Sequence, residues 1–276
     1  MLVNGLPQKT INLDDRGLAY GDGVFETVRL VGSRPVFLSE HLQRLRKGCE
    51  KLGLNCDFAK LENEISSLQA RFTDYAILKI LISRGAGGRG YRPASEMSAT
   101  RILTLHPLPE LPQLQAGEGV RVFVCEYRLS QQAELAGIKH LNRLDQVMAS
   151  REWPEAGMFE GLMRDQQGYI IEGTRSNLFY AQGGSLYTPA LKNCGVAGIF
   201  RDLLLQSGEF DISVIENVSL QALLQADELF LCNSVTGVWP VSSLENAGQT
   251  HHYATGSFAT EAMSLFGKAL HADNAD

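Results

Sequence analysis

The alternation of apolar and polar positions predicts most of the elements. Asn4-Gly5 is a hairpin signal close to the N-terminus. Residues 24–30 (Val-Phe-Glu-Thr-Val-Arg-Leu) alternate with the period of a strand, and Gly21-Asp-Gly23 before them permits a tight turn. That pattern places Phe25, Thr27 and Arg29 on one strand face. A second strand is expected over residues 35–38, ending at Ser39, a good helix N-cap. Leu42, Leu45, Cys49 and Leu52 then fall at helical spacing up to Gly53, and Phe58, Leu61, Ile65, Leu68 and Phe72 stripe a second helix. The apolar run 75–83, broken by Lys79, reads as a buried strand, with another at 100–105.

His106-Pro-Leu-Pro-Glu-Leu-Pro112 is the one proline-rich stretch and suits an extended spacer. The expected organisation is therefore an α+β domain over residues 1–106, a linker over 107–118 and a strand-rich domain over 119–276. In the later part, strands are expected at 119–129, 159–164, 169–172, 177–181, 186–188 and 228–232. Helices are expected from the Lys139 segment to about residue 152, over 198–208, after Ser219, and over 255–270.

Composition narrows the function classes. The chain has 276 residues, 44% of them hydrophobic and 20% charged, as in ordinary globular proteins. A net charge of -6 without a long basic run argues against a nucleic-acid binder. No apolar run reaches membrane-span length, and the N-terminus lacks the basic and apolar regions of a signal peptide. The five cysteines are odd in number and dispersed, which reads as reduced thiols in a cytoplasmic protein. No Cys/His cluster suggests zinc. Gly85-Ala-Gly-Gly-Arg-Gly-Tyr91 matches G-x-G-x-x-G, but Tyr91-Arg-Pro93 and a strand follow where a dinucleotide site needs a helix. The loop is either a flexible turn or a substrate-contacting loop carrying Arg89.

Candidate chemistry centres on Leu135-Ala-Gly-Ile-Lys-His-Leu-Asn-Arg-Leu144. Lys139 there sits among apolar and small residues, a setting in which an amine can lose its proton near neutrality and act as nucleophile or base. Arg44 lies beside the apolar stripe of its helix and could grip a phosphate. Glu172 ends an apolar strand, and a buried carboxylate needs a partner. Gly195-Val-Ala-Gly-Ile-Phe200 is a glycine-bearing turn into a helix, whose amides suit a phosphate dianion. Asn233-Ser-Val-Thr236 offers further donors after a strand.

In this order these features resemble the fold-type-IV pyridoxal-phosphate enzymes, from Tyr20-Gly-Asp-Gly-Val-Phe-Glu26 to Val238-Trp-Pro-Val241. That family contains branched-chain aminotransferases, D-amino-acid transaminases and aminodeoxychorismate lyases. The Lys139 segment and Ser83-Arg-Gly-Ala-Gly-Gly-Arg-Gly-Tyr91 resemble the bacterial lyases specifically. The resemblance implies a two-domain fold-type-IV architecture and pyridoxal 5'-phosphate as cofactor. It implies a homodimer and a lyase that converts 4-amino-4-deoxychorismate to 4-aminobenzoate and pyruvate in folate synthesis. A D-amino-acid or branched-chain aminotransferase is the alternative. Lys139 would be the Schiff-base lysine, Arg44 a phosphate ligand and Glu172 the partner of the pyridine nitrogen. The amides of Ile199 and Phe200, with Ser234 and Val235, would complete the phosphate cup, and Asn177 would join the cofactor contacts. Arg29, Arg84 and Arg89 would be candidates for the substrate carboxylates. Transaminases of the family carry threonine where this chain has Phe200, so only the amide could serve there. Ser234 replaces another common threonine and keeps the hydroxyl.

Overall fold

The Asn4-Gly5 signal becomes a tight turn after strand β1 (Leu2–Val3), with φ of 50° and 80° at the two residues. The computed structural model describes residues 1–72, 76–88, 90–112, 115, 117–154 and 157–271. They pack as two units, Met1–Glu110 with Ile138–Asn142, and Leu111–Gly137 with Arg143–Asp276.

In the first unit, helix α1 (Arg16–Tyr20) is a single turn capped by Asp15. Strand β2 (Gly23–Val31) and the two-residue β3 (Arg34–Pro35) follow, then helices α2 (Leu38–Leu52) and α3 (Phe58–Leu68) and strands β4 (Ala76–Ser83) and β5 (Thr100–Pro107). The strands form an antiparallel sheet in the order β1-β5-β4-β2-β3. Alternation on β2 and β4 sends Val24, Val28, Leu30, Leu78, Ile80 and Ile82 to the helix side, where Leu45, Cys49, Leu61 and Ile65 meet them. Each such side chain contributes about 1.5–3 kcal/mol of burial free energy. The opposite face carries Phe25, Thr27 and Arg29, as the alternation predicts.

The expected strand at 35–38 is cut short. Val36 is fully buried, and the chain turns just after it through Phe37 at φ 56°. Helix α2 therefore starts at Leu38, and Ser39 lies inside its first turn, donating to Glu40 at 2.8 Å instead of capping.

The second unit holds β6 (Val120–Arg128), α4 (Leu144–Ser150), β7 (Met158–Arg164), β8 (Ile170–Gly173), β9 (Asn177–Gln182), β10 (Ser185–Pro189) and α5 (Ile199–Gln206). It continues with β11 (Ile212–Ile215), α6 (Leu220–Leu224), β12 (Glu228–Asn233), β13 (Gly237–Asn246), β14 (Gln249–His252) and α7 (Ser257–His271). The sheet order is β11-β10-β9-β12-β13-β6-β7-β8, with β14 on β13. Pairs β10/β11, β13/β6 and β6/β7 are parallel. All four residues of β8 are buried, which brings Glu172 into the interior. Strands β11, β13 and β14 escape the sequence reading. In β13, Pro240 and an irregular register between Val241 and Ser243 break the strand signature.

The change of unit at Glu110–Leu111 falls inside the proline-rich stretch. From sequence, Lys139 is expected in the later domain at the start of a helix; in the structure Ile138–Asn142 packs with the first unit and α4 begins at Leu144.

Candidate active site

Lys139 lies on extended chain laid along the start of β2. Its carbonyl accepts from Phe25 N at 2.9 Å, Leu141 N donates to Gly23 O at 2.9 Å, and Val24 bridges His140. Asn142 Nδ2 donates to Gly21 O at 3.1 Å, which gives one member of the lyase-like motif a positioning job. The close approach explains Gly23: a Cβ there would meet Ile82 O at 2.4 Å and Leu141 Cδ1 at 2.7 Å. Backbone pairing thus fixes the Lys139 main chain, and its Nζ lies 4.5 Å from the centroid of the Phe25 ring. Lys79 Nζ lies 5.5 Å from the same ring. Arg29 shares this strand face, roughly 13 Å along the strand from Phe25 at ~3.4 Å per residue.

The opposite face of β2 carries a group the sequence reading missed. Glu26 is fully buried and takes Arg44 in a fork, Nε to Oε1 at 2.7 Å and Nη2 to Oε2 at 2.6 Å. His41 Nδ1 donates to the same Oε2 at 2.6 Å. Burial alone would raise the Glu26 carboxyl, but the charges and hydrogen bonds of Arg44 and His41 win and pull it down to about 2. The signal is present in the sequence: Glu26 occupies a core-facing position of the alternation, and His41 and Arg44 lie one helical turn apart.

Of the expected carboxylate-binding arginines, Arg84 is committed elsewhere. Its Nε and Nη2 grip Asp22 at 2.7 and 3.0 Å, while Nη1 and Nη2 donate to Gly53 O at 2.8 Å and Leu52 O at 2.7 Å. It caps the carbonyl end of α2, so its donors serve the fold and not a ligand. Arg16 Nε joins Asp22 from the other side at 3.0 Å. Burial opposes ionisation of Asp22, and the two arginines still hold its carboxyl below the usual range. Arg89 lies outside the described residues.

In the second unit, one peptide organises the remaining candidates. Val196 N donates to Glu172 Oε2 at 2.8 Å, and Val196 O accepts from Asn177 Nδ2 at 2.9 Å. Glu172 and Asn177 are both more than nine-tenths buried. Asn177 therefore braces the turn instead of presenting its amide outward. Two backbone bonds pin the same turn to Gly137, from Gly137 N to Gly195 O and from Ala197 N to Gly137 O, each 3.0 Å. Gly195 sits at φ 87°, where a Cβ would meet Leu191 Cδ2 at 2.7 Å and Ile171 Cγ2 at 3.0 Å. Arg143 is half-buried; desolvation depresses its pKa against the opposing charges of Glu172 and Asp145.

The turn opens α5, which has Gly198 at its N-cap and no side-chain cap bond. Ile199 and Phe200 are buried, and the Phe200 ring meets Phe266 edge-on at 5.0 Å. Only their backbone can therefore face a ligand. At residues 233–236, Asn233 Oδ1 accepts from Val235 N at 2.9 Å and Thr236 N at 2.7 Å. The Val235 amide, expected in a phosphate cup, is thus engaged inside the chain, while Ser234 lies buried at the same turn.

The five thiols make poor nucleophiles. Burial pushes the Cys49, Cys125, Cys194 and Cys232 thiols up to about 12 and Cys56 up to about 11, which suits packing and not nucleophilic attack. A cavity of about 230 Å³ lined by Gln131, Asp165, Tyr169, Ile171, Asn193 and Cys194, among others, includes none of the candidate residues. Among the described residues no helix is long and apolar enough to cross a membrane.

A family model described as amino-transferase class IV matches residues 23–244. The chain is 40% identical to a solved structure of 4-amino-4-deoxychorismate lyase from Pseudomonas aeruginosa, with a TM-score of 0.90 over 100% of this chain and 99% of that one. It is 34% identical over 245 residues to an aminodeoxychorismate lyase of Vibrio harveyi, covering 88% of this chain and 90% of the relative. It is 30% identical over 249 residues to a D-alanine aminotransferase of Bacillus licheniformis, covering 87% and 84%. Lys139, the buried Glu172 and the donor-bearing turns fall within a match that spans most of the chain, and the chain belongs to the class IV aminotransferase family, with its fold-type-IV architecture.

Proposed function

We propose that this chain is a pyridoxal 5'-phosphate-dependent lyase that converts 4-amino-4-deoxychorismate to 4-aminobenzoate and pyruvate. The observation that carries the cofactor reading is the Val196 peptide, bracketed by Glu172 and Asn177 at the mouth of a helix with no side-chain cap. It combines a buried carboxylate with a backbone donor set, and such a set suits a phosphate monoester and a protonated pyridine nitrogen. Full-length similarity to the Pseudomonas lyase supports the lyase over the transaminase reading.

When bound, pyridoxal 5'-phosphate supplies an aldehyde for amine condensation and a ring that accepts an electron pair. Arg44, the Ile199 and Phe200 amides and Ser234 would hold its phosphate. The Glu172 carboxylate would hold a proton on the ring nitrogen. Lys139 would hold the cofactor's aldehyde and, as a free amine, would remove the proton from the amine-bearing carbon of the substrate. As the ether C–O bond at the neighbouring carbon breaks, the leaving enolpyruvate would take up the proton that Lys139 carries and become pyruvate, and aromatisation of the ring makes the elimination strongly downhill. Arg29 is the favoured candidate for a substrate carboxylate, since Arg84 is spent on Asp22 and α2. We place the enzyme in the cytoplasm, where its unpaired cysteines stay reduced, and expect a homodimer.

An aminotransferase is the rival, favoured by the similarity to D-alanine aminotransferase. The two separate on one measurement. Purified protein with aminodeoxychorismate and no keto acid should release pyruvate in a single turnover. Release only after a keto acid is supplied would sink the lyase reading.

A further inference from the structure

Strand β2 serves two candidates from its two faces. On one, Phe25 binds the Lys139 carbonyl through its N–H and lies beneath the Lys139 amine. On the other, Glu26 forks the Arg44 guanidinium. A long arginine stem has rotamer freedom to lose before its planar head can meet an anion, and a carboxylate gripping one edge of the guanidinium removes that freedom in advance. The grip also costs something, because Glu26 cancels the charge that would attract a phosphate. His41 offsets this by donating to the same Oε2 that Arg44 Nη2 contacts, each at 2.6 Å, so the carboxylate's charge is shared. A buried ion pair is a poor way to add stability alone, since apolar residues of similar volume often do as well.

We infer that Glu26, braced by His41, is the positioning residue that orients Arg44 for an anion, and that β2 thereby sets the amine and the phosphate grip together. The inference rests on Arg44 being a phosphate ligand, as proposed above. In this role Glu26 would act through Arg44, which it grips, and not by contact with cofactor or substrate.

The test compares pyridoxal 5'-phosphate with pyridoxal, which lacks the phosphate, on the full-length chain stripped of cofactor and titrated spectroscopically. Inorganic phosphate serves as a competitor in the same titration. Glu26→Gln should lower pyridoxal 5'-phosphate affinity by about tenfold or more while pyridoxal affinity stays within about twofold. Inorganic phosphate should compete more weakly. Adding Glu26→Gln to Arg44→Met should cause no further loss, because the two act as one unit. A carboxylate that only supports the fold would lower both affinities together, and that result overturns the inference. An unchanged ratio in Glu26→Gln alongside a collapsed ratio in Arg44→Met also overturns it, leaving the Arg44 role intact. An unchanged ratio in Arg44→Met removes the phosphate role itself. Should Glu26→Gln fail to fold, Arg44→Lys decides: it keeps the charge but not the fork. A ratio lowered as in Arg44→Met supports the inference, and a wild-type ratio refutes it.

Discussion

The two units carry their candidate groups by different means. In the first, Arg44 is a side chain held by another side chain, Glu26, and Lys139 stands on extended chain pinned by strand-like backbone bonds. In the second, the candidate donors at α5 are backbone amides, and what holds them is a turn fastened through Val196 and a glycine at positive φ. Side-chain groups can be exchanged one at a time, with graded losses. A backbone donor is removed only by proline, and otherwise fails when its turn is distorted.

The largest loss is expected of Lys139→Ala, which should cut pyruvate release by at least about 10³-fold and abolish absorbance near the visible edge on adding cofactor. A variant that still colours would show that the amine is elsewhere. Glu172→Gln keeps an acceptor for Val196 N but loses the charge. It should bind cofactor yet turn over about 10²-fold more slowly. Near-normal turnover would make Glu172 a structural brace.

Acid titration separates the units next. Because the folded Glu26 pKa of about 2 lies below its ordinary value of 4.5, its ionised form stabilises the fold above about pH 4.5, and that contribution is lost as pH falls through 2. The loss is roughly 3 kcal/mol. Denaturant unfolding should therefore show a shallower fall between pH 4.5 and 2 in Glu26→Gln than in the wild type, and equal slopes would contradict the buried pair.

Gly195→Ala strains the turn by about 1–3 kcal/mol, to be read as a lowered Tm and weaker cofactor binding. Its first-unit counterpart, Asn142→Ala, loses one exposed side-chain bond to Gly21 O and should cost about 0.5–1 kcal/mol. A larger effect there than at Gly195 would reverse the contrast between the two units.

The features legible in the residues alone are local and periodic. Alternation at residues 24–30 set β2 and its faces, the stripe ending at Gly53 set α2, and Ser219 capped α6. The order of Arg44, Lys139, Glu172 and the two turns could be set beside that of the family by resemblance, because residue type and order are read without coordinates. Tertiary structure decided what each group is bonded to. That Lys139 lies on extended chain and not on a helix depends on pairing with β2, more than a hundred residues earlier in the chain. That Arg84 serves Asp22 and α2, that the Val235 amide is engaged by Asn233, and that Asn177 and Glu172 share one peptide are all matters of hydrogen-bond partners. Partners brought together by folding leave no periodic trace. Glu26 stands between the two cases: its core-facing position was written in the alternation, but a buried carboxylate becomes interpretable only once Arg44 and His41 are seen around it.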